Sequence, residues 1–372
     1  MSGPQIEILA IAIVTAAGCS LVGVFLMLRR MAMLSDAISH AILPGIVVAF
    51  FLTEDLASPW LVIAAALTGV VTVFLVELLT RTRRLKEDAA MGLVFPALFS
   101  LGIVLITRYA GNVHLDVDAV LLGELAFAPF DRLEIGGTDL GPRHLWLMGV
   151  ITLVNLTAVL VFFKELKIAT FDPGLAASLG LAPTVIHYGL MTLVSVTTVG
   201  AFDAVGLILV VALMIGPAAA AYLLTDRLGL LLALAVLLGA IAAAIGFALA
   251  VWLDASIAGC MAVGVGSVFM AVFLAAPRRG LMAGIRRRRS QRWEFAQVML
   301  TIHLVQHEGS VEEEDESMVE HLHGSHVGWT PAFTAKVVEG AERRKLVERV
   351  GDRLHLTDSG RAAAGRALSG TG

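Results

Sequence analysis

The chain has 372 residues, 58% hydrophobic and only 16% charged, with a mean hydropathy of +0.84. Soluble domains carry about 45–50% apolar and about 25% charged residues, so this composition excludes a soluble globular enzyme and a disordered chain. The net charge of −4 says nothing about partners until it is divided along the sequence. The two cysteines, Cys19 and Cys260, sit in apolar runs and support neither a disulfide framework nor a CxxC metal site.

Charge divides the chain in two. Residues 286–372 hold 26 charged side chains among 87, against 32 in residues 1–285. The junction runs from Pro277-Arg278-Arg279 through Arg286–Arg289. We therefore expect a membrane domain at 1–279, a basic linker at 280–291 and a soluble domain at 292–372.

Nine apolar runs follow one another near 6–28, 37–53, 59–79, 89–107, 144–163, 184–201, 204–224, 229–252 and 257–276. A spanning helix needs about 20 apolar residues to cross a hydrocarbon core of about 30 Å. Backbone amides in that core must pair internally, which predicts an all-α, polytopic membrane protein. The second run is the shortest and carries Asp36, His40 and Pro44. Placing the N-terminus outside puts Arg29, Arg30, Arg81, Arg83, Arg84, Lys86, Lys164, Lys167, Arg227, Arg278 and Arg279 in inner connections. Only Arg108, Arg132 and Arg143 are then outside. The positive-inside rule favours that orientation and a cytoplasmic C-terminal domain. The first run reads as an anchor, not a cleaved signal. Small-residue stretches such as Gly216–Ala221 and Gly239–Gly246 read as packing surfaces between helices.

An ionisable residue in a span is costly and points to function. In Ser35-Asp36-Ala37-Ile38-Ser39-His40, the aspartate and histidine are spaced i, i+4 and share one helix face. A carboxylate with an imidazole suits a borderline divalent ion such as Mn²⁺, Fe²⁺ or Zn²⁺. Two ligands do not complete a coordination sphere, and a symmetrically placed second subunit could supply more. The alternative is an Asp–His pair that satisfies itself near Arg29-Arg30. If a metal binds, acid weakens it, because the imidazole must be neutral. Elsewhere Asp203 reads as a helix-end residue, Asp254 as a cap, Glu77 as a snorkelling side chain and His187 as a packed one. His114, Asp116 and Asp118 read either as an outer acidic vestibule that attracts cations or as a solvated loop.

No G-x-x-x-x-G-K-[ST] motif occurs, so the chain does not hydrolyse ATP by that route. The polar stretch Lys164–Pro183 contains Phe171-Asp172-Pro173, good helix-starting chemistry, before a short Gly174–Gly180 helix. Such a helix suits either a docking knob or a plain surface.

These residues resemble the permease subunit of manganese/zinc/iron ABC importers, the metal-ion ABC-3 family. The resemblance lies in RMAMLSDAISHAILPG (30–45), KEDAAMGLVFPALFSLGIVL (86–105), LDVDAVLLGEL (115–125), FDPGLAASLGL (171–181) and VGLILVVALMIGPAAAAYLLTDRLG (205–229), in the family's order. It implies a dimer of permeases in the plasma membrane over cytoplasmic ABC ATPase subunits, fed by an extracytoplasmic metal-binding protein. It further implies that Asp36 and His40 face the transported metal, and that Asp172, Pro173, Ala176 and Gly180 belong to the helix that couples to the ATPase. No cofactor is bound permanently, the metal being cargo and manganese the favoured ion.

Beyond the family pattern, residues 292–308 and 330–343 read as amphipathic helices, the second with Thr330 as N-cap and Pro331 at N1. LVERV (346–350) and RLHLT (353–357) read as a hairpin across Gly351-Asp352, followed by a helix at 359–368. That order resembles a small α/β winged-helix module of the iron/manganese-dependent repressor type. Nucleic-acid binding is not expected, because Lys336 and Arg343 are offset by Glu339 and Glu342. His321, His323 and His326, beside the acidic 312–316 run, are candidates for a regulatory metal. The rival reading is a membrane-anchored metal-sensing regulator with the tail as effector.

Overall fold

The apolar runs become helices, and the residues between them set where each begins and ends. A computed structural model describes residues 3–54, 59–109, 125–135, 138–322 and 328–369. It divides into two compact units, residues 1–280 and 281–372.

In the first unit, α1 is Gly3–Leu28. The second span is broken into α2, Leu34–Ala41, and α3, Leu43–Thr53. Then come α4 (Pro59–Arg81) and α5 (Glu87–Tyr109). A hairpin of β1 (Arg132–Ile135) and β2 (Thr138–Pro142) precedes α6 (Arg143–Val161). Two short helices follow, α7 (Phe163–Phe171) and α8 (Pro173–Ser178). The last four spans are α9 (Pro183–Val205), α10 (Leu207–Leu224), α11 (Leu228–Leu253) and α12 (Ile257–Ala275). Counting α2 and α3 as one span, nine helical segments among the described residues are long and apolar enough to cross a membrane. The hairpin is a departure from the purely helical expectation. It is held by Arg132 Nε bonding Asp139 Oδ2 at 2.5 Å, and the Gly141 amide also donates to Asp139 at 2.8 Å. Both interactions hold the Asp139 carboxyl below its usual range, the backbone bond more strongly.

Helix α1 is the hub, packed against α6, α10 and α11, with Ile11 and Phe25 fully buried. Close approach requires missing side chains. A Cβ on Gly23 would lie 1.8 Å from the Met214 carbonyl oxygen of α10, and one on Gly246 would lie 2.2 Å from the Met261 Cα of α12. Van der Waals packing through such small residues replaces the hydrophobic drive that lipid removes. Polar bonds add direction: buried Asn155 of α6 donates from Nδ2 to Thr197 Oγ1 of α9 at 2.7 Å and to the Gly18 carbonyl of α1 at 3.4 Å.

In the second unit, α13 is Leu281–His307 and α14 is Glu313–Glu316. They are followed by α15 (Pro331–Arg343), the antiparallel strands β3 (Val347–Val350) and β4 (Arg353–Leu356), and α16 (Asp358–Leu368). The stretch 280–291, expected as a linker, is helical from Leu281 onward; arginine is a good helix former, and Arg286–Arg289 continue the helix into the apolar face at Ala296, Leu300 and Leu304. Those residues pack on Val337, Val338, Ala341, Val347 and Leu354. Thr330 stands at the start of α15 without a side-chain capping bond, whereas Thr357 caps α16 by accepting from the Gly360 amide at 3.1 Å.

Candidate metal site and coupling segment

Asp36 and His40 both lie on α2, one turn apart, with Asp36 Oδ1 3.7 Å from His40 Nε2. Their side chains keep 37% and 31% of their surface, while Leu34, Ser35, Ala37, Ile38, Ser39 and Ala41 are buried. The polar face is thus left open on an otherwise enclosed helix. The His40 ring sits 5.7 Å from Phe95 and 5.9 Å from Phe99, both on α5. These rings restrict the imidazole and keep water from one side.

The break after Ala41 has a chemical cause. Pro44 has no N–H to give to the carbonyl four residues back, which is that of His40. The chain resumes with Gly45 and Ile46 both donating to the Ile42 carbonyl, at 3.0 and 3.2 Å. Gly45 fits there because a Cβ would meet Thr68 Oγ1 at 2.0 Å. Ile42, between the two helices, keeps right-handed torsions of φ −72° and ψ −17°, and its amide bonds the Ile38 carbonyl at 3.1 Å, so the break is a lost helical rung and not an unwound segment. Asp36 and His40 thus offer one carboxylate and one imidazole on the open face of one short helix.

A cavity of about 240 Å³ opens nearby, lined by Met31, Leu34, Val73, Val76, Glu77, Thr80, Glu87 and His187. Glu77 accepts from the Tyr188 hydroxyl and from Arg81 Nη2, the latter at 2.7 Å. His187 is not merely packed: its Nδ1 lies 3.0 Å from Arg29 Nη1. Glu87 Oε1 is buried without a hydrogen bond. Two acidic groups therefore share this cavity, and sequence reasoning missed Glu87 because it resembles an ordinary helix-start residue.

A second missed residue is His144 at the start of α6. Its Nε2 lies 3.5 Å from Asp131 and its Nδ1 3.6 Å from Asp203, which belongs to the last turn of α9. The two acids are remote in sequence, so no local spacing signals the array. Asp254 caps α11 in the left-handed conformation, as expected. His114, Asp116 and Asp118 lie outside the described residues.

The 171–181 stretch has a defined start and stop. Asp172 caps α8, its Oδ1 accepting from the Leu175 amide at 2.9 Å, and Pro173 occupies N1. At the other end the Leu181 amide bonds the Ala176 carbonyl and the Gly180 amide bonds the Ala177 carbonyl. With Gly180 at φ +79° this is a Schellman stop. Ala176 is fully buried, yet Phe171, Leu175 and Leu179 are largely exposed. A six-residue helix anchored on one side and apolar on the other presents a contact surface. In the second unit, His321 Nε2 lies 3.5 Å from Glu316; His323 and His326 lie outside the described residues.

The zinc transport system membrane protein TroD of Treponema pallidum (strain Nichols) is 48% identical over 354 residues, 95% of this chain and 96% of that protein. That alignment runs well into the second unit. The manganese transport system membrane protein MntD of Bacillus subtilis (strain 168) is 45% identical over 275 residues, 74% of this chain and 93% of that protein. Among solved structures, PsaBC from Streptococcus pneumoniae in complex with Fab is similar with a TM-score of 0.62 and 28% identity, covering 75% of this chain and 94% of that one. The model of the ABC 3 transport family matches residues 5–276, and the chain belongs to that family.

Proposed function

We propose that this chain is the membrane-spanning permease of an ATP-driven importer of divalent metal ions. The observation that carries the reading is the Asp36–His40 pair, left open on a buried helix and followed by a proline break. A passing dication is held there briefly by carboxylate and imidazole, weakly enough to leave. The open face of the pair is completed at the interface with a second permease subunit. ATP is hydrolysed by separate cytoplasmic ABC ATPase subunits, which dock on Phe171, Leu175 and Leu179 of the capped α8 segment. An extracytoplasmic metal-binding protein delivers the ion.

Manganese is the favoured cargo. A carboxylate beside one imidazole, with no sulfur, suits Mn²⁺ better than the nitrogen- and sulfur-rich sets typical of structural zinc. The two relatives named above carry zinc and manganese in their names, so the choice rests on this ligand chemistry. The second unit is a cytoplasmic winged-helix module with a regulatory role. Its order of long helix, one-turn helix, helix, hairpin and helix supports that reading, and Arg343 is already paired with Glu339, which leaves little basic face for nucleic acid.

The test is uptake of radioactive manganese by cells that express the chain with its ATPase, in competition with zinc and iron. Uptake should require the ATPase, and unlabelled manganese should compete best. Uptake that persists without the ATPase identifies a gradient-driven carrier instead.

A further inference from the structure

The second unit contains a cluster that the transport reading does not use. His303 and His307 are spaced i, i+4 on α13, so their rings share one face, with centroids 4.9 Å apart. Glu316, at the end of α14, turns into that face. Its Oε2 lies 3.2 Å from His303 Nε2, and its side chain is only 9% exposed. One ligand atom from each of His303, His307 and Glu316 lies within 4.8 Å of the other two. His321 Nε2 approaches the second oxygen, Oε1, at 3.5 Å.

A buried carboxylate must be compensated. Among the described residues no lysine or arginine pairs with Glu316; its charged partners are imidazoles. Its Oε2 is buried without a hydrogen bond. Both cysteines lie in the first unit, so no thiolate competes.

We propose that His303, His307 and Glu316 form a divalent transition-metal site in the second unit, with His321 as a further ligand within reach. Two imidazoles one turn apart plus one carboxylate is a donor set for borderline ions such as Zn²⁺, Fe²⁺ and Co²⁺, with positions left open for water or His321. Ligands about 2.0–2.2 Å from an ion sit roughly 3.4 Å apart, so rotamer adjustment alone closes the cluster. Local sequence spacing points only to the histidine-rich 321–326 segment; the partners on α13 join once the acidic run folds back over that helix.

The experiment is equilibrium dialysis of the purified full-length chain against Co²⁺ alone, with the visible Co²⁺ bands recorded. Binding is read without uptake, so its failure and that of the transport reading are distinguishable. The unmodified chain should bind one Co²⁺ more than the His307→Gln and Glu316→Gln variants, with the imidazole-type bands lost in both. The His355→Gln control should match the unmodified chain. Should Glu316→Gln fail to fold, His307→Gln decides alone, since that side chain is 30% exposed and holds no core. Equal Co²⁺ binding by His307→Gln and the unmodified chain, or no Co²⁺ bound by the latter, overturns the site.

Discussion

Asp36 and His40 stand out in the sequence because a charge in an apolar run is expensive, and that expense made the pair legible before any coordinates. His144 was not legible at all, because it gains meaning from Asp131 and Asp203, brought together by the hairpin and the end of α9. At the same scale Arg361 donates to Glu308 from Nη2 at 2.6 Å and from Nε at 3.1 Å. These bonds hold the Glu308 carboxyl below its usual range. A carboxylate depressed in the folded state adds stability above its unfolded value, and that contribution is lost as pH falls through the lowered one. Thermal unfolding of the intact chain should therefore show an acid-side loss, beginning below about pH 4.3, that Glu308→Gln makes shallower. The difference should be small because the pair is at the surface. Identical acid profiles would remove the pair from the account.

Elements were placed well by hydropathy and poorly by chemistry that hydropathy ignores. Pro96 and Pro217 sit inside continuous helices, while Pro44 accompanies a break. The difference lies in the neighbours: Gly45 lets α3 approach Thr68, so packing on α4 holds the offset. The hairpin before α6 was missed because its strands are short and its register irregular. Small residues make a sharper prediction. Gly23→Ala forces α1 off α10 and should cost about 1–3 kcal/mol as overpacking, read as a lower melting temperature in detergent. Gly149→Ala, with no atom within 4 Å of the added Cβ, should be neutral or stabilising. Equal effects would mean that close approach does not hold these helices. For the coupling segment, Asp172→Ala removes the α8 cap, worth about 1 kcal/mol. Uptake and transport-coupled ATP hydrolysis should fall together while membrane insertion is unchanged; a normal coupled rate would detach α8 from the ATPase.

For the molecule as a whole, the family was legible from five motifs spread across residues 30–229. The ligand partners within the second unit were not, because they depend on a loop folding over α13. The Bacillus relative is matched over 93% of its length by 74% of this chain, whereas the Treponema relative is matched by 95% of it. Deleting residues 281–372 should leave metal uptake in place; loss of uptake with normal membrane insertion would make the second unit part of the transport machinery. The most direct measurement is radioactive manganese uptake by Asp36→Ala and His40→Ala at matched membrane abundance. Each should fall by about 10-fold or more, as loss of a metal-binding contact demands. Unchanged uptake in both would contradict the metal path.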